Sequence, residues 1–265
     1  MDLGLEGKRV VVLASSKGLG KAIAVQYVQE GAEVLISSRD PEHLLQAAQD
    51  IKQTVGGDHP GPHTEVCDVS SKQSIEKLFE AASDKLGGVD ILINNAGGPP
   101  AGSFMQFKDD DWKDAFEQNL LSFIRASRLA VPQMQDAGGG RIINIASSSI
   151  KQPIDGLVLS NTFRTAIAGL SKTLANEYAK DDILVNTVGP GRIETERVES
   201  LDEKMATRKG VSVEELKANY DAGIPVGRSG SPEEFAKAVL FLGSFANTYI
   251  TGQSLLVDGG YVKAL

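Results

Sequence analysis

Short apolar runs rich in valine and isoleucine recur along this chain, each separated from the next by room for a helix. That alternation restricts the fold more than any other feature. Val10-Val11-Val12-Leu13-Ala14 has the length and β-branching of a buried strand. Val34-Leu35-Ile36, Glu65-Val66-Cys67, Ile91-Leu92-Ile93, Ile142-Ile143-Asn144-Ile145, Leu184-Val185-Asn186 and Leu255-Leu256-Val257 repeat the character. Segments of helical period lie between them, at about 19–30, 41–54, 72–86, 110–136, 158–180 and 232–245. Strands apolar along their whole length imply a parallel sheet with helices on both faces, an α/β architecture. No repeat or linker divides residues 1–265, so a single domain is expected. The one long irregular stretch, about 192–230, is highly charged from Glu194 to Arg208. A loop of that length in a compact domain reads as a lid over a ligand site, with a plain surface insertion as the alternative.

Composition removes several classes of function. With 265 residues, 41% of them apolar, the chain can fill one large core. Its formal charge of −8 argues against nucleic acid or an anionic membrane as the main partner. No apolar run approaches the roughly 18 residues of a membrane span. The first residues, Met1 to Gly7, lack the basic-then-apolar character of a signal peptide. A lone Cys67 cannot form an internal disulfide, which fits a reducing compartment. A cytoplasmic protein with no metal site is the expectation.

Directly after the first strand comes Ala14-Ser15-Ser16-Lys17-Gly18-Leu19-Gly20, followed by an amphipathic helix with Leu19, Ile23, Tyr27 and Val28 on its inner side. A strand, a glycine turn and a helix N-terminus make an anion site. Free backbone N–H groups and the positive helix end face a pyrophosphate, and glycine lets the backbone come close. Arg39 follows the second strand, where an acidic residue would hold the ribose 2′-hydroxyl of NAD. With Lys17 in the turn itself, two cations could take a 2′-phosphate, each charged hydrogen bond contributing roughly 1.5–3 kcal/mol. NADP(H) is favoured over NAD(H), against the alternative that both are solvated surface charges.

Further along stand Asn94-Asn95-Ala96-Gly97, Gly140-Arg141-Ile142-Ile143-Asn144-Ile145-Ala146-Ser147, Val185-Asn186-Thr187-Val188-Gly189-Pro190-Gly191 and Thr251-Gly252-Gln253-Ser254-Leu255-Leu256-Val257-Asp258-Gly259-Gly260. In this order and spacing the chain resembles the short-chain dehydrogenase/reductase superfamily, near its 3-oxoacyl-carrier-protein reductase branch. The resemblance covers essentially the whole sequence. It implies a doubly wound, Rossmann-type sheet of seven strands, NAD(P) lying across the strands' carboxyl ends, and a homo-oligomer, tetramer or dimer. It places Ala14, Ser16, Lys17, Gly18, Leu19 and Gly20 in the glycine turn, and Asp68 and Val69 beside the adenine. Asn95, Ala96 and Gly97 then run past the adenosine ribose, and Pro190, Gly191, Ile193 and Thr195 reach the nicotinamide end. The family usually has Thr-Gly where this chain has Leu13-Ala14. Alanine is excluded there only if φ must be positive, so a modulated affinity is expected.

The family's catalytic tetrad is Asn, Ser, Tyr and Lys. Asn119 falls in an expected inward stripe of Trp112, Phe116, Asn119, Phe123 and Ser127, and by itself it could be a satisfied core asparagine. Ser147 closes the fifth strand, in place to hydrogen-bond a substrate carbonyl, or else belongs to a polar loop with Ser148 and Ser149. The resemblance puts the tyrosine thirteen residues beyond Ser147 and the lysine four further. Those positions read Ser160 and Arg164. Phe163, Ala166, Ile167, Leu170, Leu174 and Tyr178 fix the helical register, and Tyr178 lies about five turns along the helix. An alkyl hydroxyl is a poor general acid. Arginine keeps a positive charge for the nicotinamide ribose hydroxyls but passes no proton at working pH. Lys151 and Asp155 are the nearest titratable groups, either of them more simply a loop charge.

Two main functions follow. One is an NADP(H)-dependent oxidoreductase that interconverts a small-molecule carbonyl and an alcohol without the tyrosine. The other is a non-catalytic NADP(H)-binding regulator or scaffold. A structural subunit pairing through the helices near 110–136 and 158–180 is the third.

Overall fold

A computed structural model describes residues 1–57 and 59–264. Among the described residues seven strands are present: β1 (Arg9–Val12), β2 (Glu33–Ser38), β3 (His63–Val66), β4 (Ile91–Asn94), β5 (Gly140–Ile145), β6 (Ile183–Pro190) and β7 (Ser254–Val257). All pair in parallel, in the order β3-β2-β1-β4-β5-β6-β7. The order reverses between β1 and β4, and the crevice outside that switch point is where such sheets bind ligands. The doubly wound seven-stranded fold is as expected.

Side chains alternate across β1, so Val10 and Val12 join one core layer while Val11 and Leu13 join the other. The first layer holds Ile23, Tyr27 and Val28 of α1 (Gly18–Gln29), Leu44 and Ile51 of α2 (Pro41–Val55), and Phe235 and Val239 further on. The second holds Ile75 and Leu78 of α3 (Lys72–Leu86) and Phe123 and Met134 from the middle of the chain. Helix starts are chemically marked. Asp40 accepts from the N–H groups of Glu42 and His43 at 3.0 Å before Pro41, and Ser71 accepts from Ser74 N–H at 3.3 Å.

Three expectations need correction. The helix expected at 110–136 is α4 (Asp109–Phe116), a π-helical turn (Glu117–Leu121) and α5 (Ser122–Asp136). A π turn adds a residue to the coil and shifts the phase of everything before it, so a 3.6-residue stripe cannot continue through. Phe123, Ser127 and Asn119 do face inward, but Phe116 is exposed and Trp112 half-buried. Both pack on Phe163, Phe116 tilted at 6.1 Å and Trp112 edgewise at 6.0 Å between ring centroids.

The stretch 192–230 is not irregular. It forms α7 (Glu196–Lys209) and α8 (Val213–Ala222), capped by Thr195 and Ser212, before α9 (Pro232–Leu242). Few of its apolar residues are buried, so periodicity carried no signal. Asp202, itself buried, pairs with Arg192 beyond β6, and the Arg192 guanidinium lies 4.3 Å from the ring of Tyr220 on α8. That cluster ties both helices to the sheet. The third correction concerns α6 (Val158–Tyr178), whose buried line runs through Leu159, Arg164, Ile167, Ser171 and Ala175. Ala166 is exposed and Phe163 half-buried, so Arg164, not the apolar stripe, points inward.

Candidate active site and dinucleotide cleft

The turn after β1 is held from three sides. Ser15 N–H donates to Ser37 C=O at 2.8 Å, and the Ser15 hydroxyl accepts from Ser37 N–H at 2.9 Å. Ser16 bonds Ser38 through their hydroxyls at 2.9 Å, and Asn95 Nδ2 donates to Ala14 C=O at 3.0 Å. Gly20 is required by close approach, because a Cβ there would stand 2.5 Å from Ala14 O and 2.9 Å from Asn95 Nδ2. Gly18 has φ +55°. Ala14 has φ +46°, so the alanine does more than narrow the turn: it is held in the left-handed region at about 1–2 kcal/mol.

Ala14, Ser16, Lys17, Gly18 and Leu19 form one wall of a cleft of ≈ 650 Å³. Arg39, Asp68 and Val69 lie at its β2–β3 end, and Asn95, Ala96, Gly97 and Thr195 complete the expected residues that line it. Asp68 is held in a turn by accepting from Ser70 N–H at 3.0 Å and its hydroxyl at 2.7 Å. Gly20 packs behind the turn. Pro190, Gly191 and Ile193 do not line the cleft. Gly191 N–H continues the sheet by donating to Val257 C=O at 2.9 Å, and Ile193 is buried in the first core layer. They fix where α7 begins. Arg39 is exposed at the rim, whereas the Lys17 ammonium lies 3.1 Å from Glu196 on α7, across the cleft mouth.

Ser147, Ser160, Asn119 and Arg164 are also absent from the cleft lining. Ser147 sits half-buried just past β5, where its Oγ accepts from Ser149 N–H at 3.1 Å and keeps its own proton to donate. Ser160 is half-buried in the first turn of α6. Its neighbour Asn161 clamps the preceding loop, accepting from Ile154 N–H at 3.2 Å and donating to Ile154 C=O at 2.9 Å. Lys151 and Asp155 in that loop are exposed.

Arg164 is buried. Its Nη1 donates to Ile145 C=O at 2.6 Å and its Nη2 to Ala96 C=O at 2.9 Å, with the guanidinium 5.9 Å from the Phe123 ring. Burial, reinforced by the positive charge of Arg197, lowers its pKa to about 10. It still carries its proton at neutral pH. Two of the five N–H donors of Arg164 are spent on backbone carbonyls. Asn119 is fully buried, and neither Nδ2 nor Oδ1 has a partner among the described residues.

Sequence periodicity marked none of Gly98, Gln118, Arg197 and Lys204, which line the same cleft. Gln118 Nε2 donates to Gly97 C=O at 3.0 Å, and Arg197 Nη2 to Pro99 C=O at 2.8 Å. Recognising α7 as a helix starting at the Thr195 cap would have placed Arg197 in its first turn. Beneath the strand ends a buried polar chain links β4, β5, α6 and β6. Asn94 donates to Asn144 at 2.8 Å, Asn144 to Ser171 at 2.8 Å, and Thr187 to Ser171 at 2.7 Å.

A family model described as enoyl-(acyl carrier protein) reductase matches residues 13–262. The 3-oxoacyl-[acyl-carrier-protein] reductase FabG of Vibrio cholerae is 35% identical, over 97% of this chain and 98% of its own. The chain belongs to the short-chain dehydrogenase/reductase superfamily. Among solved members of that superfamily, L-sorbose reductase from Gluconobacter frateurii, complexed with NADPH and L-sorbose, superposes with a TM-score of 0.93. It is 34% identical, with both chains fully covered. A short-chain oxidoreductase from Pseudomonas aeruginosa PAO1, described as containing an atypical catalytic center, gives a TM-score of 0.89 at 28% identity, again over both whole chains.

Two measurements check the cleft. Ala14→Gly removes left-handed strain of about 1–2 kcal/mol but frees the unfolded chain by about 0.4–1 kcal/mol. A net gain of about 0–1.6 kcal/mol, a rise in Tm of up to about 6 °C, is expected in a calorimetric scan. A fall in Tm would mean that the turn does not hold φ positive. In Glu196→Gln the partner of Lys17 is removed. An exposed pair contributes only about 0–1 kcal/mol, so NADPH binding should tighten by no more than about fivefold, less at high salt.

Proposed function

We propose that this protein is an NADP(H)-dependent oxidoreductase that interconverts a carbonyl and an alcohol on a small molecule. The observation that carries the reading is a preformed dinucleotide cleft at the sheet's switch point, with a serine donor just past β5. The Gly18–Gly20 turn fits a dinucleotide. Its first helical N–H groups have no partner within the helix, and Gly20 leaves the turn no room for a side chain. Lys17 and Arg39 on the rim suit a 2′-phosphate, in keeping with the NADPH held by the sorbose reductase.

When bound, the cofactor supplies a hydride. The chain's own part is to receive the carbonyl and stabilise the charge that grows on its oxygen. Ser147 does this by donating its free hydroxyl proton. Ser160 does not titrate near neutral pH, and Arg164, at about 10, is protonated and tied to two carbonyls. Neither delivers the proton, so it comes from solvent. Losing a positioned general acid lowers the rate roughly 10²–10⁴-fold, which leaves a slow reductase and not a dead one.

A second reading, an NADP(H)-binding protein without turnover, is favoured by one observation. Arg164 closes over Ala96 and Ile145 where a lysine would leave a mobile ammonium. Self-association belongs to both readings. Phe104, Met105 and Phe116 are exposed beside Trp112 and Phe163, an apolar patch that a second copy would cover. Light scattering should report a dimer or tetramer; a monomer at micromolar concentration would remove that part of the proposal.

The main test is a titration with NADPH and NADH followed by a carbonyl panel. NADPH is expected to bind about 10–100-fold more tightly, a preference that Arg39→Ala weakens. Turnover should be slow and fall at least about tenfold in Ser147→Ala. Unchanged turnover in that variant rejects the serine's role, and binding without turnover across the panel selects the second reading. Ser160→Tyr with Arg164→Lys should raise turnover strongly if the pocket still admits carbonyls.

A further inference from the structure

Two guanidinium groups hang from one four-residue segment. Arg164 Nη2 donates to Ala96 C=O at 2.9 Å, and Arg197 Nη2 to Pro99 C=O at 2.8 Å. Neither pairs with a carboxylate among the described residues. Arg164 is buried, where a charge is ordinarily paired, whereas Arg197 is exposed on the cleft wall, and two like charges near each other oppose. That opposition is visible in Arg164, whose proton affinity Arg197 helps to lower. The segment is shaped for the arrangement. A Cβ on Gly98 would stand 2.7 Å from Arg197 Nη2 and 2.9 Å from its Nε, so the glycine leaves the space the guanidinium fills. Asn119 adds a second incomplete group: it is fully buried with neither amide atom partnered, one turn from the Phe123 ring that Arg164 faces.

Position along the cleft limits what anion could complete this pair. In the strand order β2-β1-β4-β5, Arg39 follows β2, the glycine turn follows β1, Gly98 and Pro99 follow β4, and Ser147 follows β5. Arg197 therefore stands between the phosphate-cradling turn and the carbonyl-binding serine. The turn already provides its own N–H groups for a diphosphate. A guanidinium one strand nearer Ser147, with Nε and Nη1 bonded to no protein group among the described residues, is placed for whatever lies beside the reacting carbonyl.

We infer that Arg197 is a specificity-determining residue which binds an anionic group of the substrate, a carboxylate or phosphate, at the Gly98 end of the cleft. This rests on the reductase reading. Arg164 is a positioning residue behind it: its buried charge raises the local positive potential, and its two hydrogen bonds fix the Ala96 end of the segment. A substrate that brings its own negative charge relieves the repulsion between the two arginines, whereas a neutral one leaves it standing.

The experiment uses the full chain saturated with NADPH and two matched pairs, acetoacetate with its methyl ester and 2-oxobutanoate with its methyl ester. The acid of at least one pair is expected to exceed its ester in kcat/KM by about 10–100-fold, the yield of one charge-assisted contact. In Arg197→Gln that ratio should fall to near one, mostly through KM, while Arg197→Lys keeps part of it. NADPH affinity, read by its fluorescence, should move less than about threefold. Equal use of acid and ester by the wild type overturns the proposal. So does an Arg197→Gln variant that loses NADPH affinity tenfold with the ratio intact, since the arginine then serves the dinucleotide's diphosphate. If no carbonyl is turned over, the reductase reading fails by itself, and calorimetry of acetoacetate binding to the NADPH complex decides this one. Arg197-dependent binding supports it, and no binding of either acid rejects it.

Discussion

A parallel sheet delivers every strand's carboxyl end to the same edge, and there the ladder stops. Carbonyls beyond the last paired residue must find other donors or face solvent, because an unmet buried carbonyl is expensive. At β4 and β5 this chain meets the requirement with one side chain. Arg164 reaches from α6 and ties Ala96 C=O to Ile145 C=O. Below it, the chain from Asn94 through Asn144 to Ser171 and Thr187 joins the same strands to the same helix. The floor of the cleft, the position of Ser147 and the path of the segment from Ala96 to Pro99 all depend on that joint.

The chemistry follows from the shape of the group. A guanidinium is a planar fork with donors in fixed directions, able to serve two carbonyls at once while staying charged. An ammonium on a flexible stem would serve fewer fixed partners and remain free to contact a ligand. Choosing the fork strengthens the strand ends and withdraws the cation from proton traffic. Ser160 is the matching change, for with no phenol there is no acid whose pKa a nearby cation needs to lower. In the proposed reading the two residues act in one direction, toward a rigid floor and away from side-chain acid catalysis.

Much of this was legible in the sequence, for identifiable reasons. Val10 to Leu13 and Ile91 to Ile93 advertise buried strands because both faces of the sheet are covered. Helix α3 is found at 72–86 as expected because its apolar spacing and its Ser71 cap agree. The glycine turn was readable since only that strand–turn–helix order makes an anion cradle. What was hidden had no periodic signature. The π turn around Asn119 breaks the phase that a 3.6-residue stripe relies on, so Trp112 and Phe116 were assigned to the wrong side. Helices α7 and α8 are held by capping residues and by the Arg192–Asp202 pair more than by an apolar face. Arg197 stayed invisible with them, and the φ of Ala14 is a property of the folded turn that no residue count reveals.

Helix α7 forms one wall of the cleft. Its first turn crosses the cleft mouth through two contacts of unequal kind. Glu196 meets Lys17 as an exposed ion pair, which water and salt weaken, whereas Arg197 donates to a backbone carbonyl in a slot that Gly98 keeps open. The first contact uses the cation that a 2′-phosphate would also attract, so Glu196 and such a ligand would compete for one ammonium. The second leaves two guanidinium nitrogens without a protein partner and need not break when the cleft fills. A ligand that took the Lys17 ammonium would release only the Glu196 contact and leave the Arg197 contact in place. Midway along it, the buried Asp202 holds the helix to Arg192. Loss of the exposed ion pair alone therefore leaves α7 tied at Arg197 and at Asp202.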